Sequence, residues 1–223
     1  MKFKVKRSEF LRELQKMQSI SPTPEKSSPP ILSHIKITAI DGSLELFATN
    51  LGVGYKSRVT STVGVEGTMT LEARKTFEIF RELTSDGEVE VDEGTKGWAV
   101  ISMPGVVFRV ATLPSEEFPA EPEHTLNGFT TVKAGALKDM ITKTDFAIST
   151  DEAMRTLSGA LLHTGEEKLV MVATDGHRMA KIEKEGPQDV ELNDTIIPRR
   201  AVSEIRKMAE EMEEDENVQL KQE

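Results

Sequence analysis

Leu44-Glu45-Leu46-Phe47-Ala48-Thr49-Asn50 returns 125 residues later as Leu169-Val170-Met171-Val172-Ala173-Thr174-Asp175. Three further pairs keep that offset: Leu32-Ser33 with Leu157-Ser158, Ala73-Arg74-Lys75 with Pro198-Arg199-Arg200, and Phe80-Arg81-Glu82-Leu83 with Ile205-Arg206-Lys207-Met208. Leu11-Arg12-Glu13-Leu14 matches Leu137-Lys138-Asp139-Met140 one residue further out. Five matches in one order, with almost no drift, read as two copies of one unit. The competing explanation is chance likeness among short apolar-basic stretches, since periodic helices resemble one another.

Each copy has the same predicted layout. A short strand (Lys2–Lys6; Thr130–Lys133) precedes a helix (Ser8–Met17; Gly135–Lys143), with Ser8 as candidate N-cap. Phe10, Leu11, Leu14 and Met17 form one helical stripe. Alternating strands follow, turning at Asp41-Gly42. A second helix spans Ala73–Leu83 and Arg199–Glu211. Strands Glu88–Asp92, Trp98–Met103 and Val106–Ala111 close copy one, the last two joined by Pro104-Gly105. The fold class is α+β: repeated domains, each with two helices packed on antiparallel sheets. A Pro- and Glu-rich linker, Leu113–Glu123, puts the domains at 1–123 and 124–223. Copy two stops after the counterpart of Val89–Val91, so it reads as truncated before its last strands, with more chain expected beyond residue 223.

The basic residues recur with the helices. Arg74 and Arg81 lie seven apart, with Lys75 further round. Arg199 and Arg206, and Arg200 and Lys207, repeat that spacing, and Arg12 and Lys138 match in the first helices. Cationic faces on four corresponding helices suit a phosphate backbone, which needs positive charge and no base-reading geometry. Solvated helix faces account for them equally well on pattern alone. The formal net charge of −10 argues against whole-surface attraction to nucleic acid but leaves a local basic surface open. The run Glu210–Glu216 with Glu116, Glu117, Glu121 and Glu123 holds much of the acid, read as outer surface. No apolar run approaches the ~18 residues that span a bilayer. The N-terminus lacks a secretory apolar core. Cysteine is absent, which excludes disulfides and thiolate-metal sites and fits a reducing cytoplasm.

The ordered set Met1-Lys2-Phe3, Pro30-Ile31-Leu32-Ser33, Ala48-Thr49-Asn50-Leu51, Ala73-Arg74-Lys75, Thr112-Leu113-Pro114 with Phe118-Pro119, Leu157-Ser158-Gly159, Ala173-Thr174-Asp175-Gly176-His177-Arg178 and Ile197-Pro198-Arg199 resembles the beta sliding clamp of bacterial DNA polymerase III. The resemblance runs the length of the chain. It implies three similar domains per protein, of which the third is absent here, and a head-to-tail homodimer closing a ring around double-stranded DNA. It implies a non-catalytic processivity factor without cofactor or metal. Its partners are the polymerase III catalytic subunit and the clamp loader, held through short clamp-binding peptides.

Residue by residue, the resemblance puts DNA contacts at Lys26, Arg74, Arg199 and Arg200, and at a loop with Asp151, Arg155 and Thr156; the helix charge pattern adds Lys75 and Arg81. Asp151 brings an acidic group to that loop. The peptide pocket maps in part onto Leu157, Thr174, Gly176, His177, Arg178 and Met179. Leu157 and Met179 offer an apolar floor, Thr174, His177 and Arg178 a polar rim, and Gly176 a tight turn. A plain post-strand turn explains Asp175-Gly176 as well. The dimer interface falls on the last strand of domain one, with Phe108 and Val110 as apolar contacts. Without its partner surface, that edge predicts a monomeric or aggregation-prone chain.

Two other classes compete. A hydrolase would use Asp175 and His177 with Ser158, and a metal site would use some of His34, His124, His163 and His177, but no ligand-like spacing or phosphate loop supports either. A protein-interaction scaffold would explain the repeat and the acid, but not the matched basic helices.

Overall fold

The computed structural model describes residues 1–23, 28–95, 97–122, 129–151, 153–154, 156–165, 168–186 and 192–222. The chain divides into two compact units, Met1–Glu121 and Pro122–Glu223. Unit 1 runs β1 (Lys2–Lys6), α1 (Arg7–Ile20), β2 (His34–Ile40), β3 (Ser43–Thr49), β4 (Gly54–Thr60), β5 (Thr62–Val65), β6 (Gly67–Glu72), α2 (Ala73–Glu82), β7 (Glu88–Glu93), β8 (Trp98–Met103) and β9 (Val106–Ala111). Unit 2 runs β10 (Thr130–Lys133), α3 (Ala134–Thr142), β11 (Gly159–Gly165), β12 (Lys168–Thr174), β13 (Met179–Glu185), β14 (Thr195–Pro198), α4 (Arg199–Glu210) and β15 (Asn217–Leu220).

The repeat is a repeat of topology. One sheet of unit 1 has the order β4-β3-β2-β6, and unit 2 has β13-β12-β11-β14, every pair antiparallel. The pairing of β1 with β7 recurs as β10 with β15. In unit 1, β5, β8 and β9 extend that second sheet to the order β5-β1-β7-β8-β9.

Alternation explains which faces are buried. Along β2, Ile35, Ile37 and Ala39 point into the core, while Lys36 and Thr38 lie at the surface. In α1 the residues Phe10, Leu14, Met17 and Ile20 recur every third or fourth position, and all four are buried. Their partner stripe on α2 is Ala73, Thr76 and Phe80. The Phe10 ring sits 4.9 Å from Phe80 and 6.3 Å from Phe3, so one aromatic chain joins both helices to β1. Unit 2 builds the same layer from Leu137, Met140 and Ile141 of α3, Val202 of α4, and Ala160, Leu162, Leu169 and Met171 of the sheet.

One local expectation is corrected. Helix α1 begins at Arg7, so Ser8 is no N-cap; its N–H donates to Asp86 Oδ1 (3.0 Å), and the Arg7 N–H donates to Gly87 O (3.1 Å). A loop 78 residues away caps this helix, which no local motif reveals. Val110, expected at a dimer surface, is 3% exposed and belongs to the core of unit 1; Phe108 is half-buried against that core. What β9 turns outward is Val107, Arg109 and its backbone edge, which no strand covers among the described residues.

After β9 the chain is strapped to unit 1. Thr70, fully buried, donates to Leu113 O (2.7 Å) and accepts from Leu113 N–H (3.1 Å). Phe118 packs with Ile31, Leu32 and Phe47. Replacing Thr70 with Val keeps shape but leaves both Leu113 groups unpaired. It should lower unfolding stability by about 1–3 kcal/mol, read by urea denaturation, and speed amide exchange at Leu113. Unchanged exchange there would contradict the strap.

Candidate functional site

The basic helix positions are exposed because the apolar stripe fixes the opposite face. On α2 the buried set Ala73, Thr76 and Phe80 leaves Arg74, Lys75 and Arg81 outside. None of the three stands alone. Arg74 Nε lies 3.2 Å from Glu78, Lys75 Nζ lies 3.8 Å from Glu72, and Arg81 lies 3.3 Å from Glu82 with its guanidinium over the Phe77 ring at 5.7 Å. Exposed pairs of this kind are worth about 0–1 kcal/mol, so a phosphate can replace the glutamate at small cost.

On α4, Arg199 and Arg200 are exposed at the helix start. The seven-residue spacing breaks down at its far end. Arg206 is half-buried, with Nη1 2.6 Å from Asp145 Oδ2 and Nε 3.7 Å from Glu210. It ties α4 to the 3-10 turn Asp145–Ala147, which follows α3. Lys207 remains outside, 2.8 Å from Glu204. Asp151 and Thr156 are exposed in the loop before β11, and Asp151 is held by its own turn: its N–H donates to Ser149 Oγ, and its Oδ1 accepts from Ala153 N–H. Lys26 and Arg155 lie outside the described residues.

Of the six residues expected at a peptide pocket, Thr174, Gly176, His177, Arg178 and Met179 lie in or beside the turn between β12 and β13, and Leu157 lies in the loop before β11. Thr174 Oγ1 donates to Arg178 O (2.8 Å) and accepts from Gly176 N–H (3.1 Å). Asp175 Oδ1 accepts from His177 N–H and Arg178 N–H, each at 3.0 Å, and Oδ2 lies 2.9 Å from Arg178 Nε. The His177 amide, then the Arg178 amide and guanidinium, hold the Asp175 carboxyl below its ordinary range. Gly176 takes φ +87°, where a Cβ is disfavoured. Beyond the turn Met179 stands 68% exposed, and Leu157, in the loop before β11, is half-buried. An adaptable thioether at an unpacked position is suited to a docked apolar side chain.

Unit 1 contains the same turn. Thr49 Oγ1 donates to Val53 O and accepts from Leu51 N–H, both at 3.0 Å, while Asn50 Oδ1 accepts from Gly52 N–H (3.0 Å) and Val53 N–H (2.8 Å). Leu51 occupies the position of Gly176 with φ +71°. Equal hydrogen bonding at equal offset makes the turn a property of the repeated unit; Gly176, His177, Arg178 and Met179, in place of Leu51, Gly52, Val53 and Gly54, distinguish its surface in unit 2.

The hydrolytic pair is not assembled. Asp175 engages the backbone of His177, and both of its oxygens are taken by other donors. His34 is buried, with Nδ1 3.3 Å from Ser33 Oγ and from Pro30 O, and burial pushes its pKa down. His163 Nδ1 is 3.1 Å from Asp194. His124 lies outside the described residues. Among the described residues no three His, Asp or Glu side chains form a metal-sized cluster.

Residues 1–122 match the family model of the DNA polymerase III beta subunit, N-terminal domain, and residues 131–223 match that of the central domain. The beta sliding clamp of Chlamydia muridarum is 34% identical over 212 residues, covering 95% of this chain and 57% of that protein. The structure of Caulobacter crescentus pol III beta superposes with a TM-score of 0.91 at 31% identity, covering 99% of this chain and 61% of that one. A sliding clamp from Bartonella birtlesii bound to griselimycin gives 0.88 at 30% identity, over 98% and 59%. The chain thus spans less than two thirds of the relatives it matches. It belongs to the DNA polymerase III beta subunit family.

Proposed function

We propose that this chain supplies the first two domains of a sliding clamp that encircles duplex DNA in the cytoplasm and tethers the replicative polymerase. The observation that carries the proposal is the recurrence, in both units, of exposed cations at the start of the second helix: Arg74 and Lys75 on α2, Arg199 and Arg200 on α4. Family membership supports reading these helices as DNA-facing. They meet phosphates without reading bases, so the grip is electrostatic and permits sliding. The role is non-catalytic. The polymerase catalytic subunit and the clamp loader dock as short peptides at the turn Thr174–Met179, and the β9 edge takes a strand of a second protomer in the whole protein. Domain boundaries near residue 123 fit this assignment.

Equilibrium binding to short duplexes tests the electrostatic part. Affinity of the chain should fall log-linearly with salt, and Arg74→Ala or Arg199→Ala should each reduce the slope by about 1. Unrelated duplex sequences should bind within about threefold; discrimination at the level of specific recognition, about 10³ or more, would defeat the proposal.

The turn makes a separate prediction. Asn50 already fills the role of Asp175 in unit 1, so Asp175→Asn should keep the turn while losing the Arg178 ion pair. The Asp175 pKa is depressed in the folded chain, so its stabilisation is present above the ordinary carboxylate range and is lost as pH falls through the depressed value. The stability difference between the parent chain and Asp175→Asn should therefore shrink between pH about 6 and about 2. A difference that does not vary with pH would show that the carboxylate charge contributes nothing.

A further inference from the structure

The 3-10 turn Asp145–Ala147 holds two arginines with two successive residues. Asp145 takes Arg206 of α4 at 2.6 Å. Phe146 lies under Arg178, whose Cζ is 5.5 Å from the ring centroid. The flanking residues Thr144, Ala147 and Ile148 are buried, and Thr144 Oγ1 donates to Met140 O of α3. This turn is therefore a fixed bracket. Phe146 itself is 55% exposed, so its ring face is open to the Arg178 guanidinium. The Arg178 Nε is engaged by Asp175 at 2.9 Å, and no other side-chain hydrogen bond of its guanidinium is found among the described residues.

We propose that Phe146 is the positioning residue of the peptide-docking site. Its ring and the Asp175 carboxylate fix the Arg178 guanidinium between them, so that the Nη groups face outward to a carbonyl or carboxylate of a docked peptide. A long exposed arginine loses rotamer entropy when it binds; a guanidinium already held on a ring and a carboxylate loses less. Asp145, clamped to Arg206, keeps the ring in place. The proposal rests on the docking role given above to Thr174–Met179, and it adds a residue outside that segment.

The test uses the 223-residue chain, griselimycin as probe, and the ¹⁵N signal of Arg178 Nε. In the parent chain that signal should be single and ring-shifted; in Phe146→Leu it should move to the position of a free arginine. Griselimycin binding, followed by shifts at residues 174–179, should weaken about two- to fivefold in Phe146→Leu, the equivalent of a guanidinium's attraction to an exposed ring. In an Arg178→Ala background, Phe146→Leu should have no further effect. An unmoved Nε signal in Phe146→Leu overturns the positioning role. An equal loss in both backgrounds overturns it too, because Phe146 would then touch the ligand directly. Failure of the parent chain to bind griselimycin at residues 174–179 sinks the docking role instead, and with it the purpose assigned to the pair. The Nε signal separates that failure from the other two.

Discussion

A threonine hydroxyl that satisfies both ends of one turn organises each unit. Thr49 and Thr174 bond an amide two residues on and a carbonyl four residues on, while Asn50 and Asp175 collect the next two amides. Three amides of each turn are thereby satisfied by side chains. The turn fixes the register of β3 on β4 and of β12 on β13, and a one-residue slip would send every buried residue to the wrong face. It also tolerates different chemistry at the left-handed position, Leu51 in one unit and Gly176 in the other. The scaffold can therefore be kept while the surface it presents is changed.

That division runs through the molecule. The four-stranded sheets and the helix stripes are near copies, whereas surface side chains separate the units. On α2 the cations are paired with glutamates of their own helix or of the residue before it. On α4 one of them, Arg206, has been drawn into a contact with the turn after α3. The next residue of that turn, Phe146, lies beside Arg178. The helix that carries the proposed DNA contacts and the turn proposed to dock peptides thus share one short bracket, and a change at either end has a physical route to the other.

Much of this was legible in the residues. Heptapeptides at constant offset gave the duplication, and alternation in Ile35–Ile40 gave the sheet. The spacing of Ala73, Phe77 and Phe80 told the inner face of α2 from the outer. What the sequence did not disclose depends on distant partners. Asp86 caps α1 in place of Ser8 because a remote loop happens to bring a carboxylate to the helix start. Val110 and Val107 look alike in a strand, and only the packing of β9 decides which faces inward. Arg206 reads as one more cation on a seven-residue spacing until Asp145 is seen beside it. Phe146 carries no signal at all in isolation; an exposed aromatic acquires meaning only from the guanidinium above it.

The central claim is that two copies of one fold present the same helices to a phosphate backbone. Paramagnetic relaxation enhancement with a spin-labelled duplex tests it most directly. Broadening of amide signals in residues 73–82 and 199–210, in both units and for any position of the label along the DNA, is the predicted result. Broadening confined to one unit, or falling on the edge strands β4 and β13 while both helices stay sharp, would contradict it.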